Sequence, residues 1–541
     1  MTMVEALELQ PTRYNNASST NTSTLALTAS SPDFDLAQSR ESDGSTQGKS
    51  SNMKIFLVVF QLCAINFLSS FTNGIINVGL PTIAKSIALP RSLYLWPSSV
   101  YGLASGATLL LAGSVADLIG ARVVEISGCI ILSAFSLACG FAQTGIQLVI
   151  FRALQGVGFS LHLPASVGLV AAVAPQGRVR NISFGCLGFS QPLGFSAGLV
   201  VSGIMIEKTG WRSTSYMCGS ASILATIAAA WSLPKPPPAS QSSTPILQRL
   251  WSEIDWVGGA IASAGLAILA YVLALLSANL TEIHKVPTAT LLSLSLVLLV
   301  AFPIWMHRRA QQDKPALIPN ALWKKPAFTS TCIMVALSYG AMNAMELFSS
   351  LYFQEIQNTS TLFTSLRLLP NLLVGCIINL TVGMFVDKVS ARWLVVISSS
   401  LCAGAPLLMA LVKPEWSYWY MEFWAQTLAP MSGDVLFTVG LLIISQEFPE
   451  DMQALAGAVF NTVAQFGMTL GIGTCQVVAL ATSDKASSHG SSSGNGEDTT
   501  IASLLKGYRA SFWTMFAFGI ACAFIAVGGL RKTGKVGIKR D

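Results

Sequence analysis

The chain has 541 residues, of which 52% are hydrophobic and only 11% are charged, with a formal net charge of +6. Soluble domains carry about 25% charged residues, so this composition excludes a water-soluble globular protein. The apolar residues recur in runs of about 20, the helix length that crosses ~30 Å of hydrocarbon. The composition therefore predicts an all-α integral membrane protein, and the modest charge excludes a nucleic-acid-binding protein.

The N-terminal segment differs from the rest of the chain. Residues 1–53 are rich in Ser, Thr and Asn, and we predict a disordered cytoplasmic tail there. No basic segment followed by a short apolar segment opens the chain, so no cleavable signal is predicted. Fourteen apolar spans are predicted next, centred near residues 65, 104, 132, 160, 194, 222, 266, 297, 338, 374, 401, 430, 467 and 518.

The predicted spans are arranged as six, two and six. Residues 54–233 hold the first six and residues 327–530 hold the last six, which predicts two pseudo-symmetric six-helix halves. Residues 234–326 begin with a Pro- and Ser-rich linker and carry two additional central spans. Most of the 32 Lys and Arg residues, including those of the basic tail 531–541, favour an orientation in which both termini are cytoplasmic.

A short sequence of the first half recurs in the second half. GSVADLIGAR at 113–122 reappears as GMFVDKVSAR at 383–392, each in the predicted cytoplasmic loop after the second span of its half. A loop acid and a basic partner can stabilise one conformation and separate in another, so we predict a gate, with topology determination as the alternative. The candidate gating residues are Gly113, Asp117, Arg122, Asp387 and Arg392. Parallel six-span halves with a site between them are typical of secondary transporters.

These motifs resemble those of the major facilitator superfamily, particularly its fourteen-span drug:proton antiporter branch in fungi. RALQGVG at 152–158 resembles the fourth-span motif of that family, and GFSQPLGFSAG at 188–198 resembles its fifth-span antiporter motif. NVGLPTIA at 77–84 is similar to the opening of the branch. The resemblance implies the major facilitator fold and the export of a drug, toxin or secondary metabolite by proton antiport with alternating access.

Two positions depart from the family pattern. Thr72 stands where the branch usually carries an Asp in the first span, and Gln191 stands where the fifth-span motif usually has Gly before Pro. The first change removes a familiar proton site. Another membrane-embedded carboxyl must therefore bind the proton if this chain is an antiporter.

Polar side chains on the fourth span are candidates for transport chemistry. A charge at mid-bilayer costs about 2.5–3.5 kcal/mol on insertion scales, so it is expected to face a cavity or a partner. Arg152, Gln155 and His162 share one face of this helix. Arg152 is interpreted as a cavity cation, with a fixed inter-helix hydrogen bond as the alternative. His162 is either a proton carrier or a packing histidine.

Two acids are candidates for the coupling proton. Glu346 shares a face of the ninth span with Tyr339 and Asn343, and Asp434 lies on a polar face of the twelfth span. We expect them to be the deepest acids of the chain, with a structural or Arg-paired acid as the alternative. Arg367, in the tenth span, is expected to neutralise one of the two.

Uncharged residues of the first and fifth spans complete the candidate site. Asn66 and Asn73 align on one face of the first span, where they either line the cavity or join helices. Small residues in the fifth span allow two helices to approach closely and to seal the pathway. The residues of this packing motif are Gly188, Pro192, Gly194 and Gly198.

No enzyme is predicted, because the chain has no nucleotide-binding loop, metal-ligand spacing or nucleophile constellation. None of the ten cysteines has C-x-x-C spacing, so we predict neither a metal nor another cofactor. The expected partners are a small-molecule substrate, protons and the lipid bilayer, and the expected state is a monomer. An importer of a small solute or iron chelate is the first alternative function, and a non-transporting receptor is the second.

The predicted location is the plasma membrane, with the vacuole or another internal membrane as the alternative. In the predicted topology two Asn-x-Ser/Thr sequences lie outside the cytoplasm. Asn279 and Asn358 are therefore the candidate glycosylation sites.

Overall fold

The computed structural model divides into two units, Met1–Met53 and Lys54–Asp541. It describes residues 34–90, 93–94, 96–175, 178–234, 248, 251–252, 254–278, 280–312, 314, 317–318, 320, 322–385, 388–448, 450–490, 496–531 and 533–534. The described residues of the first unit are helical, and those of the second unit form the helical bundle. Part of the predicted linker 234–326 and most of the basic tail 531–541 lie outside the described residues.

The regular elements of the described residues are helices. They are α1 (Phe34–Ser86), α2 (Trp96–Ile119), α3 (Ala121–Phe141), α4 (Gly145–Val173), α5 (Arg178–Thr209), α6 (Trp211–Ser232), α7 (Trp256–Ala278), α8 (Val286–Gln311), α9 (Pro326–Leu351), α10 (Thr361–Phe385), α11 (Ala391–Leu411), α12 (Glu422–Leu428), α13 (Met431–Glu447), α14 (Glu450–Gly490) and α15 (Gly496–Gly529). Short 3₁₀ turns form at Leu280–His284 and Leu322–Lys324, and one π turn at Tyr352–Ile356 extends α9.

Thirteen helical segments within the described residues are long and apolar enough to cross a membrane. They coincide with thirteen of the fourteen predicted spans, which confirms the all-α membrane architecture. The remaining predicted span is α6, which is 22 residues long and begins with a polar turn around Arg212. It packs against α3, and the Tyr216 hydroxyl donates to the carbonyl oxygen of Gly140 at 2.9 Å. Helix packing rather than a high mean hydropathy therefore identifies α6 as part of the bundle.

Helix α1 extends from Phe34 onward, so it begins within the range 1–53, and one span differs from its sequence expectation. The predicted twelfth span is divided into α12 and α13 around Pro430. Proline cannot donate a backbone hydrogen bond, so an interruption at this position follows from its chemistry.

Close helix contacts hold the first six helices together. Helix α4 packs against α2 and α3. Helices α1 and α5 approach so closely that a Cβ atom on Gly194 would overlap the carbonyl oxygen of Phe67, and one on Gly198 would overlap that of Phe71. Small residues permit this backbone contact, as the sequence pattern indicates.

The two helical halves meet along two seams, one between α2 and α14 and the other between α5 and α10. The additional helix α7 packs against both α2 and α14 and therefore covers the first seam. Leu103, Ala270 and Phe466, from these three helices, share one buried cluster. The hydroxyl of Ser263 on α7 also donates to the carbonyl oxygen of Ala107 on α2. Helix α8 packs mainly on α7.

Candidate functional site

A polar cavity of about 120 Å³ lies between the two halves of the bundle. Helices α1, α2, α4 and α5 provide one wall, which we call the N wall, and helices α9, α10 and α13 provide most of the other, which we call the C wall. The polar lining residues are Ser70, Asn73, Asn77, Ser98, Tyr101, Arg152, Gln191, Ser196, Tyr339, Asn343, Glu346, Asn371, Asn379, Asp434 and Gln465.

Arg152 is the central cation of the N wall, and its side chain is fully buried. Its Nε donates to the carbonyl oxygen of Pro97 at 3.0 Å, and its Nη1 donates to Oε1 of Gln155 at 2.6 Å. Its Nη2 donates to Oδ1 of Asn73, and the guanidinium stacks over the ring of Tyr101 at 4.7 Å. These partners are neutral, and within the described residues Arg152 forms no ion pair. The cavity therefore receives an uncompensated positive charge from this wall.

The C wall carries two carboxyl groups. Glu346, on α9, accepts a hydrogen bond from Nδ2 of Asn371 at 3.3 Å. Asp434, on α13, lines the cavity together with Asn379 of α10, whose Nδ2 donates to the carbonyl oxygen of Gly375 at 3.0 Å. Gly375 lies between the two asparagines, one helical turn from each, and a Cβ there would lie 3.0 Å from Oδ2 of Asp434. The small residue lets the carboxyl approach the α10 backbone. An asparagine can donate to a carboxylate or accept from a protonated acid, so Glu346 has a partner in both protonation states.

Tyr339 and Asn343 also face the cavity, as their spacing with Glu346 predicts. Nδ2 of Asn343 donates to the carbonyl oxygen of Tyr339 at 2.9 Å, which holds the amide against its own helix. Met342 lines the cavity between them and adds an apolar contact surface. This part of the wall is therefore partly polar and partly apolar.

One end of the bundle, where α1 and α9 finish, is closed by contacts between the halves; we call it the sealed end. The hydroxyl of Tyr94 donates to Oε1 of Glu355 at 2.8 Å, and that of Tyr508 donates to Oε2 at 2.6 Å. Nε2 of Gln354 donates to the carbonyl oxygen of Val78 at 3.0 Å. The π turn at the end of α9 therefore presents two successive side chains to the first half.

The seam between α5 and α10 is also tight at the sealed end. The backbone N–H of Leu362 donates to Oε1 of Glu207 at 3.1 Å, and a Cβ on Gly203 would overlap the side chain of Ser365. Toward the other end of the same bundle, a Cβ on Gly185 or Gly188 would meet no described atom within 4 Å. The cavity is therefore closed at one end and less crowded at the other.

Arg367 lies apart from the two cavity acids, and the expectation that it neutralises one of them is wrong. Its Nη1 donates to Oε1 of Gln357 and lies 3.9 Å from Oε2 of Glu422. The guanidinium also lies over the rings of Phe353 and Tyr418. The residue follows the first turn of α10, near the sealed end, so it is too far along the helix to reach Asp434.

His162 does not line the cavity, although it shares a helix face with Arg152. Its Nδ1 lies 2.7 Å from Oε1 of Glu125 on α3, and both side chains are fully buried. Glu125 and Glu422 are buried, as Glu346 is, so the cavity acids are not the only buried carboxyl groups of the described residues.

The polar face of α1 divides between two roles. Asn73 lines the cavity and accepts from Arg152, whereas Asn66 joins helices. Nδ2 of Asn66 donates to the carbonyl oxygen of Leu187 and to the hydroxyl of Ser190, each at 2.9 Å. Of these two asparagines, Asn73 alone is placed to contact a substrate.

The fifth-span motif also divides between two roles. Gly194 and Gly198 contact the backbone of α1, as described above. Gly188 and Pro192 instead line the cavity. One sequence motif therefore contributes both a helix contact and part of the N wall.

The predicted gating residues that the structure describes lie away from the sealed end. Asp117 is exposed near the end of α2 and forms no ion pair within the described residues. Nη2 of Arg122 donates to the carbonyl oxygen of Ala230 at 2.8 Å, which ties α3 to α6. A Cβ on Gly113 would contact Pro164 at 3.8 Å. The Asp117–Arg122 ion pair is therefore not formed in this conformation.

Four further predicted positions lie outside the cavity lining or outside the described residues. Arg392 stacks on Trp393 with 5.4 Å between the guanidinium carbon and the ring centroid. Asp387 and Asn279 lie outside the described residues. Asn358 is exposed in the turn before α10 and has a φ of 51°.

Several polar partners in the site were missed by sequence reasoning. Asn371 and Asn379 carried a weak signal, since they are eight residues apart on one apolar helix and therefore share a face. Glu355 resembled an ordinary charged residue at the end of a span. No local pattern connects it with Tyr94, which is 261 residues away in the chain.

Comparisons with known proteins agree with this architecture. A family model described as Major Facilitator Superfamily matches residues 62–472. The chain is 39% identical over 533 residues to MFS-type transporter 1 of Pyricularia oryzae, which covers 91% of this chain and 86% of that protein. It is 22% identical over 491 residues to efflux pump terJ of Aspergillus terreus, covering 90% and 88% of the two chains.

A solved structure supports the same fold. The bacterial homologue of the human lysosomal transporter Spinster, in an inward-facing and unoccupied conformation, aligns with a TM-score of 0.62 at 14% identity. The alignment covers 89% of this chain and 98% of that chain. At 14% identity, the similarity between the two structures is evidence for the fold alone.

Proposed function

The chain belongs to the major facilitator superfamily, and we propose that it exports small organic molecules by proton antiport with alternating access. The observation that carries the proposal is the charge distribution of the central cavity. Arg152 extends from the N wall, and Glu346 and Asp434 extend from the C wall. A substrate bound between them contacts both halves, so its binding is sensitive to their relative movement.

The two acids of the C wall are the proposed proton sites. A carboxylate attracts a cationic or hydrogen-bond-donating substrate, and its protonation removes that attraction. Asn371 can stabilise either protonation state of Glu346, since an amide both donates and accepts. Proton and substrate can therefore replace each other at Glu346 without leaving an unpaired buried charge, and the same exchange is proposed for Asp434.

The proposed direction follows from the orientation and from the sealed end. With the N-terminus in the cytoplasm, the sealed end faces outside, and the less crowded end faces the cytoplasm. A substrate of an exporter binds from that side. The name of the relative terJ, an efflux pump, is consistent with export.

The proton gradient provides sufficient free energy for such export. One proton that crosses ~100 mV releases about 2.3 kcal/mol. Since about 1.4 kcal/mol corresponds to a tenfold ratio, one proton per cycle supports a gradient of more than tenfold.

The experiment uses cells that lack their own drug pumps and express either this chain or an empty vector. The probe is ethidium, an amphipathic cation, and its accumulation is measured with and without a protonophore. We expect lower accumulation in cells that express the chain, and we expect the protonophore to abolish the difference. Glu346→Gln and Asp434→Asn should each weaken this extrusion, because each fixes one site in a neutral state.

Glu282→Gln is the matched control, because Glu282 pairs with Lys285 at the surface, outside the cavity. It should extrude the probe at the wild-type rate. Higher accumulation in expressing cells would indicate import. Continued protonophore-sensitive extrusion by both cavity variants would refute the assignment of these acids.

A further inference from the structure

A second group of ionisable side chains lies between α3 and α4, inside the first half of the bundle. Glu125 and Cys129 are one turn apart on α3, and His162 faces them from α4. Nδ1 of His162 lies 2.7 Å from Oε1 of Glu125, and Sγ of Cys129 lies 3.3 Å from the same oxygen. One ligand atom from each residue falls within 4.8 Å of the others.

This group is separate from the transport cavity. None of its three residues lines the cavity, whereas Tyr101 does. The ring of Phe159 lies 5.6 Å from that of Tyr101 and 6.2 Å from the imidazole of His162. Aromatic side chains therefore stand between the cluster and the proposed substrate.

The direct contacts within the group leave two polar atoms without a partner. Oε2 of Glu125 and Nε2 of His162 are buried and form no hydrogen bond with any described residue. Buried polar groups in folded proteins are almost always paired, so two orphaned atoms in one cluster need an explanation. A simple ion pair between α3 and α4 gives partners to Oε1 of Glu125 and Nδ1 of His162, but it leaves Oε2 and Nε2 without partners.

We propose that Glu125, Cys129 and His162 form a binding site for a divalent transition-metal ion of the zinc type. Sulfur, imidazole nitrogen and carboxylate oxygen are the ligands that zinc prefers, and three protein ligands leave one coordination position for water. In this proposal the ion binds Oε2 of Glu125 and Nε2 of His162, the two atoms that have no partner. The ion thereby provides partners for atoms that otherwise have none.

The charges of the three ligands suit a divalent ion in a low-dielectric environment. The thiol of Cys129 loses its proton to solvent, and the resulting thiolate together with the carboxylate neutralises the two positive charges. The imidazole binds as a neutral ligand. The loaded site therefore has no net charge, which avoids the cost of a buried charge within the bilayer.

Binding would fix the contact between α3 and α4. The helices already touch here, since a Cβ on Gly128 would lie 2.8 Å from the carbonyl oxygen of Gly158. An ion coordinated by both helices adds a connection beside this contact without entering the cavity. We therefore expect the metal to stabilise the first half of the bundle.

The test uses the purified full-length protein, treated with a chelator and then supplied with Zn²⁺ or Co²⁺. We expect one zinc ion per chain after removal of free metal, and an increase in Tm on zinc addition. Co²⁺ should give a thiolate-to-metal charge-transfer band in the ultraviolet. Cys129→Ser should abolish the band, and Glu125→Gln should weaken metal binding by at least tenfold.

Cys139→Ser is the matched control, because Cys139 is another buried cysteine of α3 outside the cluster. It should retain both the band and the increase in Tm. Equal responses to zinc in the wild type and in the Cys129→Ser variant would overturn the proposal. If the Cys129→Ser variant does not fold, the test is the metal content of the wild-type protein. Far less than one zinc ion per chain after equimolar addition would overturn the proposal.

Discussion

Glu355→Gln should shift the conformational equilibrium toward a state in which the sealed end is open. The carboxylate of Glu355 accepts from Tyr94 of the first half and from Tyr508 of its own half. Opening this end must break the Tyr94 bond, whereas the Tyr508 bond connects two elements of the same half. The Tyr94 bond therefore contributes to closure, and the Tyr508 bond orients the carboxylate.

The size of the effect follows from the charge of the acceptor. A hydrogen bond to a charged group contributes about 1.5–3 kcal/mol, and one between neutral groups contributes about 0.5–1.5 kcal/mol. Glu355 is partly exposed, so water replaces part of the lost interaction. We therefore take about 1 kcal/mol as the free energy by which Glu355→Gln weakens the hydrogen bond from Tyr94. At about 1.4 kcal/mol per tenfold change, the open fraction should rise about fivefold.

Cys376 provides the assay, because its thiol lines the cavity and is partly exposed. A membrane-impermeant maleimide applied from the side of the sealed end should label Cys376 about five times faster in Glu355→Gln than in the wild type. Tyr94→Phe should accelerate labelling similarly, and Tyr508→Phe should do so less. Cys376→Ser measures the background from other thiols.

Glu415→Gln is the control for a general effect of charge, because Glu415 is an exposed acid in the loop between α11 and α12. It should label at the wild-type rate. If Cys376 is labelled at the wild-type rate in the Glu355→Gln variant, the hydrogen bond from Tyr94 does not hold the sealed end closed.

Two other perturbations examine the helix contact and the predicted gate. Gly198→Leu should lower the Tm of the purified protein, because its side chain would overlap the α1 backbone at Phe71, and overpacking of this kind costs about 1–3 kcal/mol. Gly188→Ala is its control and should leave the Tm unchanged, since its Cβ meets open space; an equal loss in both would contradict the packing argument. Asp117→Asn should slow ethidium extrusion without lowering the amount of protein in the membrane, because Asp117 is exposed and is predicted to act in gating. If the Asp117→Asn variant extrudes ethidium at the wild-type rate, the loop motif determines topology and does not act as a gate.

The sequence predicts the helices well because lipid imposes one simple requirement on every span. Runs of apolar residues must be helical, so thirteen segments are recognisable without any tertiary information. Charged residues inside those runs are equally visible, and for this reason Arg152, Glu346 and Asp434 could be selected before their positions in the cavity wall were known. Helix α6 is also predicted from the sequence, although its first turn is polar, and its packing against α3 places it in the bundle.

Partners across helices could not be predicted, because sequence spacing fixes only which residues share a face of one helix. His162 shares a face with Arg152, yet it contacts Glu125, which is 37 residues earlier in the chain. Arg367 is a second example. Its position along the axis of α10 places it next to Glu422 rather than Asp434, and sequence spacing does not show this. The proposed metal-binding group could not be predicted for a related reason, because its residues come from two helices and have no motif spacing.

Helix α7 makes the two sides of the bundle unequal toward molecules dissolved in lipid. Helix α7 packs against both α2 and α14 and therefore shields the seam between them, within the described residues, from the hydrocarbon phase. The seam between α5 and α10 has no comparable cover from α7. We therefore expect an amphipathic substrate that partitions into the bilayer to approach this protein laterally from the α5–α10 side, so that the surrounding membrane acts as a one-sided reservoir.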